Sequence, residues 1–178
     1  LYNQNLHKYT KRIYVKTDKY INYDTIKKAF NLTTQKIDDI ENVGNYLQFG
    51  TLWVALFFMA LFPELCLVTP IQWLAITFGQ LIICSSIKFG VKKLFPKLTI
   101  RPNGGLNSMP SGHTCASFSG FSILLFGFTH NWILWVVTIL MGVFAVFTAF
   151  SRIAAKKHHF RDTIIGAIVG SLTAYFII

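Results

Sequence analysis

Two short strings carry the residue types that chemistry would need. One is Pro110-Ser111-Gly112-His113, and the other is Ser151-Arg152, five residues, His158, three residues, then Asp162. Each sets a histidine beside groups suited to an anion. Ser111 and Gly112 open an apolar run, where a helix start offers unpaired N–H groups and a positive dipole, and glycine lets the backbone come close. His113 then lies at the rim of the same site. In the second string, His158 and Asp162 are four apart, which on a helix shares one face. The carboxylate would take a hydrogen bond from one ring nitrogen and leave the other as a nucleophile. Arg152 adds a planar fork for phosphate oxygens. An aspartate opening an apolar helix is costly without a partner, and His158 is the obvious one.

Each piece has a plainer reading. Pro-Ser-Gly-His alone reads as a helix start with an incidental histidine, and Asp162 alone as a helix N-cap. His159 reads as an interfacial histidine, and His7 and His130 as surface residues. Arg152, Lys156, Lys157 and Arg161 alone would be a headgroup-facing set. Their common order and placement favour a site for a phosphate carried by something that lives in a membrane.

The elements that must position these residues are apolar. The chain has 178 residues, 53% hydrophobic and only 13% charged, far from an ordinary soluble domain. Several runs are long enough for about 30 Å of hydrocarbon, which takes roughly 20 helical residues. They are continuous rather than alternating, so helices rather than a barrel satisfy the backbone in lipid. The expected fold class is an all-α, multi-pass transmembrane helix bundle. Five crossings are visible, near Leu47–Val68, Ile71–Gly90, Ser111–Phe128, Trp132–Phe150 and Asp162–Ile178. Residues 1–46 form a polar, partly amphipathic leader, and residues 47–178 a transmembrane domain. Ile26, Phe30, Ile37, Ile40 and Val43 recur at helical spacing in the leader, fitting a helix on the membrane surface or a cap packed on the bundle.

All 17 lysines and arginines fall in three groups, eight in the leader, five from Lys88 to Arg101 and four from Arg152 to Arg161. The crossing count puts these on one side and two tight turns on the other. Trp73, Trp132 and Trp135 gather at the opposite interface, as an aromatic belt would. Cys66, Cys84 and Cys115 match no zinc or redox spacing and read as small buried hydrophobes.

With these motifs in place, the chain resembles the type 2 phosphatidic acid phosphatase superfamily. That superfamily includes lipid phosphatases, glucose-6-phosphatases, soluble acid phosphatases and vanadium haloperoxidases. Its second and third motifs are complete at Pro110–His113 and Ser151–Asp162. Its first, a lysine, six residues, then Arg-Pro, is present as Arg101-Pro102 with the lysine displaced. Leu94 holds the expected position, Lys93 is the best stand-in, and Lys92 and Lys97 are rivals. The resemblance covers about residues 47–178. It implies that His158 attacks phosphorus, Asp162 orients it, and His113 protonates the leaving oxygen and then activates water. Arg101, Arg152, Ser111, Gly112 and Lys93 would hold the phosphate. It implies no metal and no cofactor, which fits the lack of a carboxylate cluster.

The crossings point to a phosphorylated membrane lipid as substrate, with the bilayer as partner and no nucleic acid. The string from Arg101 to Pro110 is similar to the lipid A 1-phosphatase branch of bacterial enzymes, so lipid A 1-phosphate comes first. Phosphatidylglycerophosphate, phosphatidic acid and undecaprenyl diphosphate follow. The positive-inside rule would set the basic end in the cytoplasm, whereas bacterial members of the family usually work at the outer face. The resemblance therefore implies a bacterial inner-membrane protein with a periplasmic site. The family commonly has six crossings, which implies a further helix ahead of residue 1. The same residues would also serve a lipid phosphotransferase, or a non-catalytic phospholipid-binding membrane protein.

Overall fold

The computed structural model describes residues 23–178 apart from residue 130. His7, His130 and the leader residues 1–22 lie outside it. A short helix α1 (Tyr23–Ala29) is followed by α2 (Thr34–Leu61), α3 (Pro70–Leu94), α4 (Gly112–Phe126), α5 (Trp132–Ala154) and α6 (Phe160–Ile177). Single 3₁₀ turns follow α2 at Pro63–Leu65 and α3 at Pro96–Thr99. The chain is an all-α bundle, as its patterning requires. Helices α2, α3, α5 and α6 are long and apolar enough to cross a membrane. Their outer faces carry exposed Phe57, Phe78, Phe89, Trp132 and Phe176, an apolar surface that suits lipid.

The long helices start where a side chain can take an orphan N–H. Thr33 caps α2, Thr69 and Gln72 form a reciprocal capping box on α3, and Asn131 caps α5. The Thr33 cap explains why the first long helix starts at Thr34 rather than near Leu47. Its first turns carry Lys36, Asp38 and Asp39 on exposed positions, so a stretch that reads as polar leader is helix. The leader boundary at residue 46 falls inside α2. Ile26 and Leu32 pack with Ile153 and Ala154, flanked by Ile37, Ile40 and Phe150, so the described part of the leader caps the bundle.

Helix α4 is the axis of the bundle. With 15 residues it spans only about 22 Å, and it is buried nearly all round. The third crossing expected from sequence is therefore the interior helix, shorter than its neighbours. Its buried residues are mostly small: Thr114, Cys115, Ala116, Ser117, Ser119, Gly120 and Ser122. Small residues let helix backbones approach when the surroundings are as apolar as the core. A Cβ on Gly120 would lie 2.5 Å from Leu52 N on α2, and one on Gly166 2.5 Å from Ser111 O. One on Gly170 would overlap the Cys115 carbonyl oxygen. Gly166 and Gly170 thus form a small-xxx-small face on α6, tightened by Ser119 Oγ donating to Gly170 O at 3.1 Å.

The two turns meet at one end, where Leu67 N donates to Gly127 O (2.7 Å) and Thr129 N to Leu65 O (2.8 Å). The segments 95–111 and 155–162 meet at the other. There Asn103 N donates to Lys156 O (3.2 Å) and Ser111 N to Asp162 O (2.9 Å). The two-ended arrangement agrees with the crossing count. Trp73 departs from the expected belt: it is buried, and its Nε1 donates to Leu52 O at 3.2 Å. It ties α3 to α2, while Trp132 and Trp135 remain exposed.

Replacing Gly170 by alanine forces α6 away from α4. Thermal unfolding in detergent should show a loss of about 1–3 kcal/mol, the usual cost of overpacking. An unchanged midpoint would mean that this helix contact does not limit stability.

Candidate active site

The second string is shaped by the end of α5. Arg152 lies in its last turn, and the Arg152 carbonyl accepts from both Lys157 N (3.0 Å) and His158 N (3.2 Å). Lys156 takes φ +55°, the left-handed residue that commonly ends a helix. The chain reverses there and delivers His158 to the bundle's basic end. His158 is buried, and its Nδ1 lies 2.6 Å from the Ser108 carbonyl oxygen. A carbonyl only accepts, so Nδ1 carries the hydrogen and Nε2 keeps its lone pair.

Asp162 does not pair with the His158 ring as the four-residue spacing suggests. That spacing assumes a continuous helix, but α6 begins at Phe160 with His159 as its N-cap. His158 therefore precedes the helix. Asp162, fully buried at the third helical position, folds its carboxylate back instead. Oδ2 accepts from His159 N (2.9 Å) and from the Ser108 hydroxyl. Asp162 thus fixes Ser108, and Ser108 holds His158. His159 is no free interfacial residue either: it is buried, with Nε2 3.2 Å from Ile100 O.

The first string begins α4. Ser111 is the N-cap, its Oγ accepting from Thr114 N (3.4 Å) and Thr114 Oγ1 (3.0 Å). The first amides of α4, at Gly112 and His113, have no partner inside the helix. A Cβ on Gly112 would lie 3.4 Å from Lys88 Nζ, so the missing side chain leaves room for an ammonium at this helix start. His113 Nε2 lies 3.2 Å from Asn45 Oδ1. Arg152 is buried and gives Nη1 to Asn45 Oδ1 (2.9 Å), Nη2 to Glu41 O (2.9 Å) and Nε to Ser151 Oγ (3.2 Å).

Arg101 sits in a tight turn. Its N donates to Gly105 O (2.7 Å), its O accepts from Gly104 N (2.9 Å), and Gly104 supplies the required φ of +85°. Arg101 Nε is buried without a hydrogen-bond partner among the described residues. Burial, then Arg101 and Lys88, push the pKa of His158 down to about 3. His113 adds to this effect on His158, and His113 itself lies in the field of Arg152, Lys88 and Arg101. Both imidazoles therefore share one cationic setting.

The structure brings together His158, His113, Ser111, Gly112, Arg101 and Arg152, with Asp162 one residue removed from the ring. It does not bring Lys93, which is exposed on α3 as Lys92 is, and Lys97 is exposed on the 3₁₀ turn. Lys88 takes the place beside Gly112. The sequence held a signal for it, a lysine one turn beyond Cys84 in an apolar helix, where a charge is expensive. Ser108, Asn45 and Glu41 carried no such signal.

A depressed His158 pKa has a stability consequence. Unfolded, the ring takes a proton near pH 6.5; folded, it stays neutral down to about 3. Its contribution is complete above about pH 6.5 and is lost as pH falls from there towards 3, by at most about 1.4 kcal/mol per unit. Thermal unfolding in detergent between pH 7 and 5 should fall more steeply for the wild type than for His158→Asn. Parallel curves would contradict a neutral buried ring.

The profile of the PAP2 superfamily matches residues 70–178, a stretch that includes Arg101-Pro102 and both strings. No curated protein matches the chain. Among solved structures, that of Aquifex aeolicus LpxE has a similar fold, with a TM-score of 0.61 and 16% sequence identity. The likeness covers 90% of this chain and 97% of that one. The likeness extends beyond the residues that the profile matches. With the profile spanning well over half of its length and the two strings meeting at one end of such a bundle, the chain belongs to the PAP2 superfamily.

Proposed function

We propose that this protein is an integral membrane lipid phosphatase that works through a phosphohistidine on His158. The observation that carries this reading is the bond from His158 Nδ1 to the Ser108 carbonyl, which leaves a neutral Nε2 lone pair in a cationic pocket. In the first step Nε2 attacks phosphorus. The bond to the leaving oxygen breaks, its electron pair stays on that oxygen, and His113 supplies the proton. In the second step His113 takes a proton from water as the water oxygen attacks phosphorus. The P–N bond breaks, and its electrons return to Nε2.

Arg101, Arg152, Lys88, Ser111 and the Gly112 and His113 amides hold the phosphate oxygens, the kind of donor set that stabilises developing negative charge. The unpartnered Arg101 Nε supports this, because a buried donor without an acceptor needs an explanation. Asp162 acts through Ser108. Lys88, rather than Lys93, fills the role of the motif lysine, and no step needs a metal. The Arg101–Pro110 string favours lipid A 1-phosphate over phosphatidylglycerophosphate, phosphatidic acid and undecaprenyl diphosphate, with the site facing the periplasm.

The test is release of inorganic phosphate from these four lipids by purified protein in detergent. Turnover should persist with a chelator present and be greatest on lipid A 1-phosphate. His113→Ala should cost about 10²–10⁴-fold, the range for a general acid–base group. His158→Ala should cost more. Undiminished turnover in His158→Ala would remove the proposed nucleophile, and labelled phosphate passing to a second lipid would make the protein a transferase. In a separate comparison, Lys88→Ala should lower kcat/KM by about 10²-fold, as loss of one oxyanion donor does, while Lys93→Ala leaves it unchanged. The reverse order would return the role to Lys93.

A further inference from the structure

Helix α2 lies outside the residues matched by the family profile, yet it supplies an atom that touches two site residues. Asn45 Oδ1 is 2.9 Å from Arg152 Nη1 and 3.2 Å from His113 Nε2. The approach is close because residue 44 is glycine: a Cβ there would overlap Ser151 Oγ and lie 3.2 Å from Arg152 Nη2.

The chemistry of this three-way contact fixes its hydrogens. A guanidinium has donors and no acceptor. The Asn45 atom facing Arg152 must therefore be the oxygen, which removes the usual ambiguity of a carboxamide. That oxygen has two lone pairs and no hydrogen, so the His113 nitrogen that meets it must donate. Nε2 then carries a hydrogen, and the neutral ring has its lone pair on Nδ1. Arg152 thus sets the tautomer of His113 through an asparagine 68 residues away from that histidine in sequence.

We propose that Asn45 is a positioning residue of this site, holding His113 with Nε2 protonated so that Nδ1 is the nitrogen that gives and takes the catalytic proton. This rests on the phosphatase reading for its kinetic consequence but not for its tautomer. In the first step Nδ1–H passes its proton to the leaving oxygen. In the second the Nδ1 lone pair receives one from water. Nε2–H stays bonded to Asn45 throughout, and the same oxygen keeps Arg152 aligned on the phosphate.

The experiment uses the full chain in detergent micelles with nitrogen-labelled histidine. The His113 signal is assigned by its loss in His113→Gln. At a pH where the ring is neutral, the wild type should show the Nε2–H form, and Asn45→Ala should show a mixture. Asn45→Asp keeps an oxygen acceptor for both partners and should restore the single form. In phosphate release, Asn45→Ala should lose about 10²-fold in kcat with a smaller change in KM, and Asn45→Asp should recover most of it. A wild-type ring in the Nδ1–H form overturns the proposal, whether or not any variant folds. So does a folded Asn45→Ala with unchanged tautomer and kcat. Absence of phosphate release by the wild type would overturn the phosphatase reading instead, and the tautomer would still decide the role of Asn45.

Discussion

The buried carboxylate of Asp162 is the constraint on which the site depends. A charge with no exposure at the start of an apolar helix must be met by donors. Here the donors come from two different loops, the His159 amide and the Ser108 hydroxyl. Meeting the carboxylate therefore pins the loop after α3 to the loop after α5. The same stitch continues through the backbone, where Ser111 N donates to Asp162 O. Two motif strings that begin different helices are thereby held at one end of the bundle, and the Ser108 carbonyl is presented to His158. Because the carbonyl rather than the carboxylate faces the ring, His158 is oriented without being offered a negative partner that would favour its charged form.

Around this stitch the bundle is built for close approach rather than bulk. The buried positions of the interior helix α4 are mostly small residues, and the glycines of α6 bring backbone against backbone. This matters for the proposed function because the start of α4 carries Ser111, Gly112 and His113. Its position is set by contacts made along the whole helix with α2, α5 and α6. The N-terminal segment then closes the site from the side. Glu41 accepts from Arg152 with its carbonyl and pairs its carboxylate with Lys157 at 3.3 Å, and Lys156 lies 3.8 Å from the ring centroid of Tyr23. The capping helices hold both Arg152 and the loop that carries His158.

The sequence made parts of this legible and hid others for physical reasons. Apolar run lengths gave the helices, because lipid leaves the backbone no other option. The motif strings gave the residues that gather at the basic end, because their spacing follows from a helix start and a helix end. The His158–Asp162 contact was misread because a four-residue spacing implies a shared face only within one helix, and the cap at His159 falls between them. Lys93 was preferred by its distance from Arg101 along the chain, whereas Lys88 reaches Gly112 because it is on the inward face of α3. The charges of Lys36, Asp38 and Asp39 concealed the first turns of α2, whose other face packs through Ile37 and Ile40 against Ile153 and Ala154. Trp73 showed an interfacial residue type at a helix start but is needed inside to bind Leu52. Asn45 was invisible, since its partners lie 68 and 107 residues away and nothing local marks an asparagine that meets them.

The central claim is that His158, oriented by the Ser108 carbonyl and kept neutral by burial and the charges of Arg101 and Lys88, becomes covalently phosphorylated. The most direct measurement mixes the purified protein with a phosphorylated lipid, quenches within the first turnover under alkaline conditions, and maps the phosphoryl adduct by mass spectrometry. The account predicts an acid-labile, base-stable adduct on His158, which accumulates when His113 is replaced by alanine and a lipid with a good leaving group is supplied. An adduct on another residue, or phosphate released in the same turnover with no covalent species under those conditions, would contradict it.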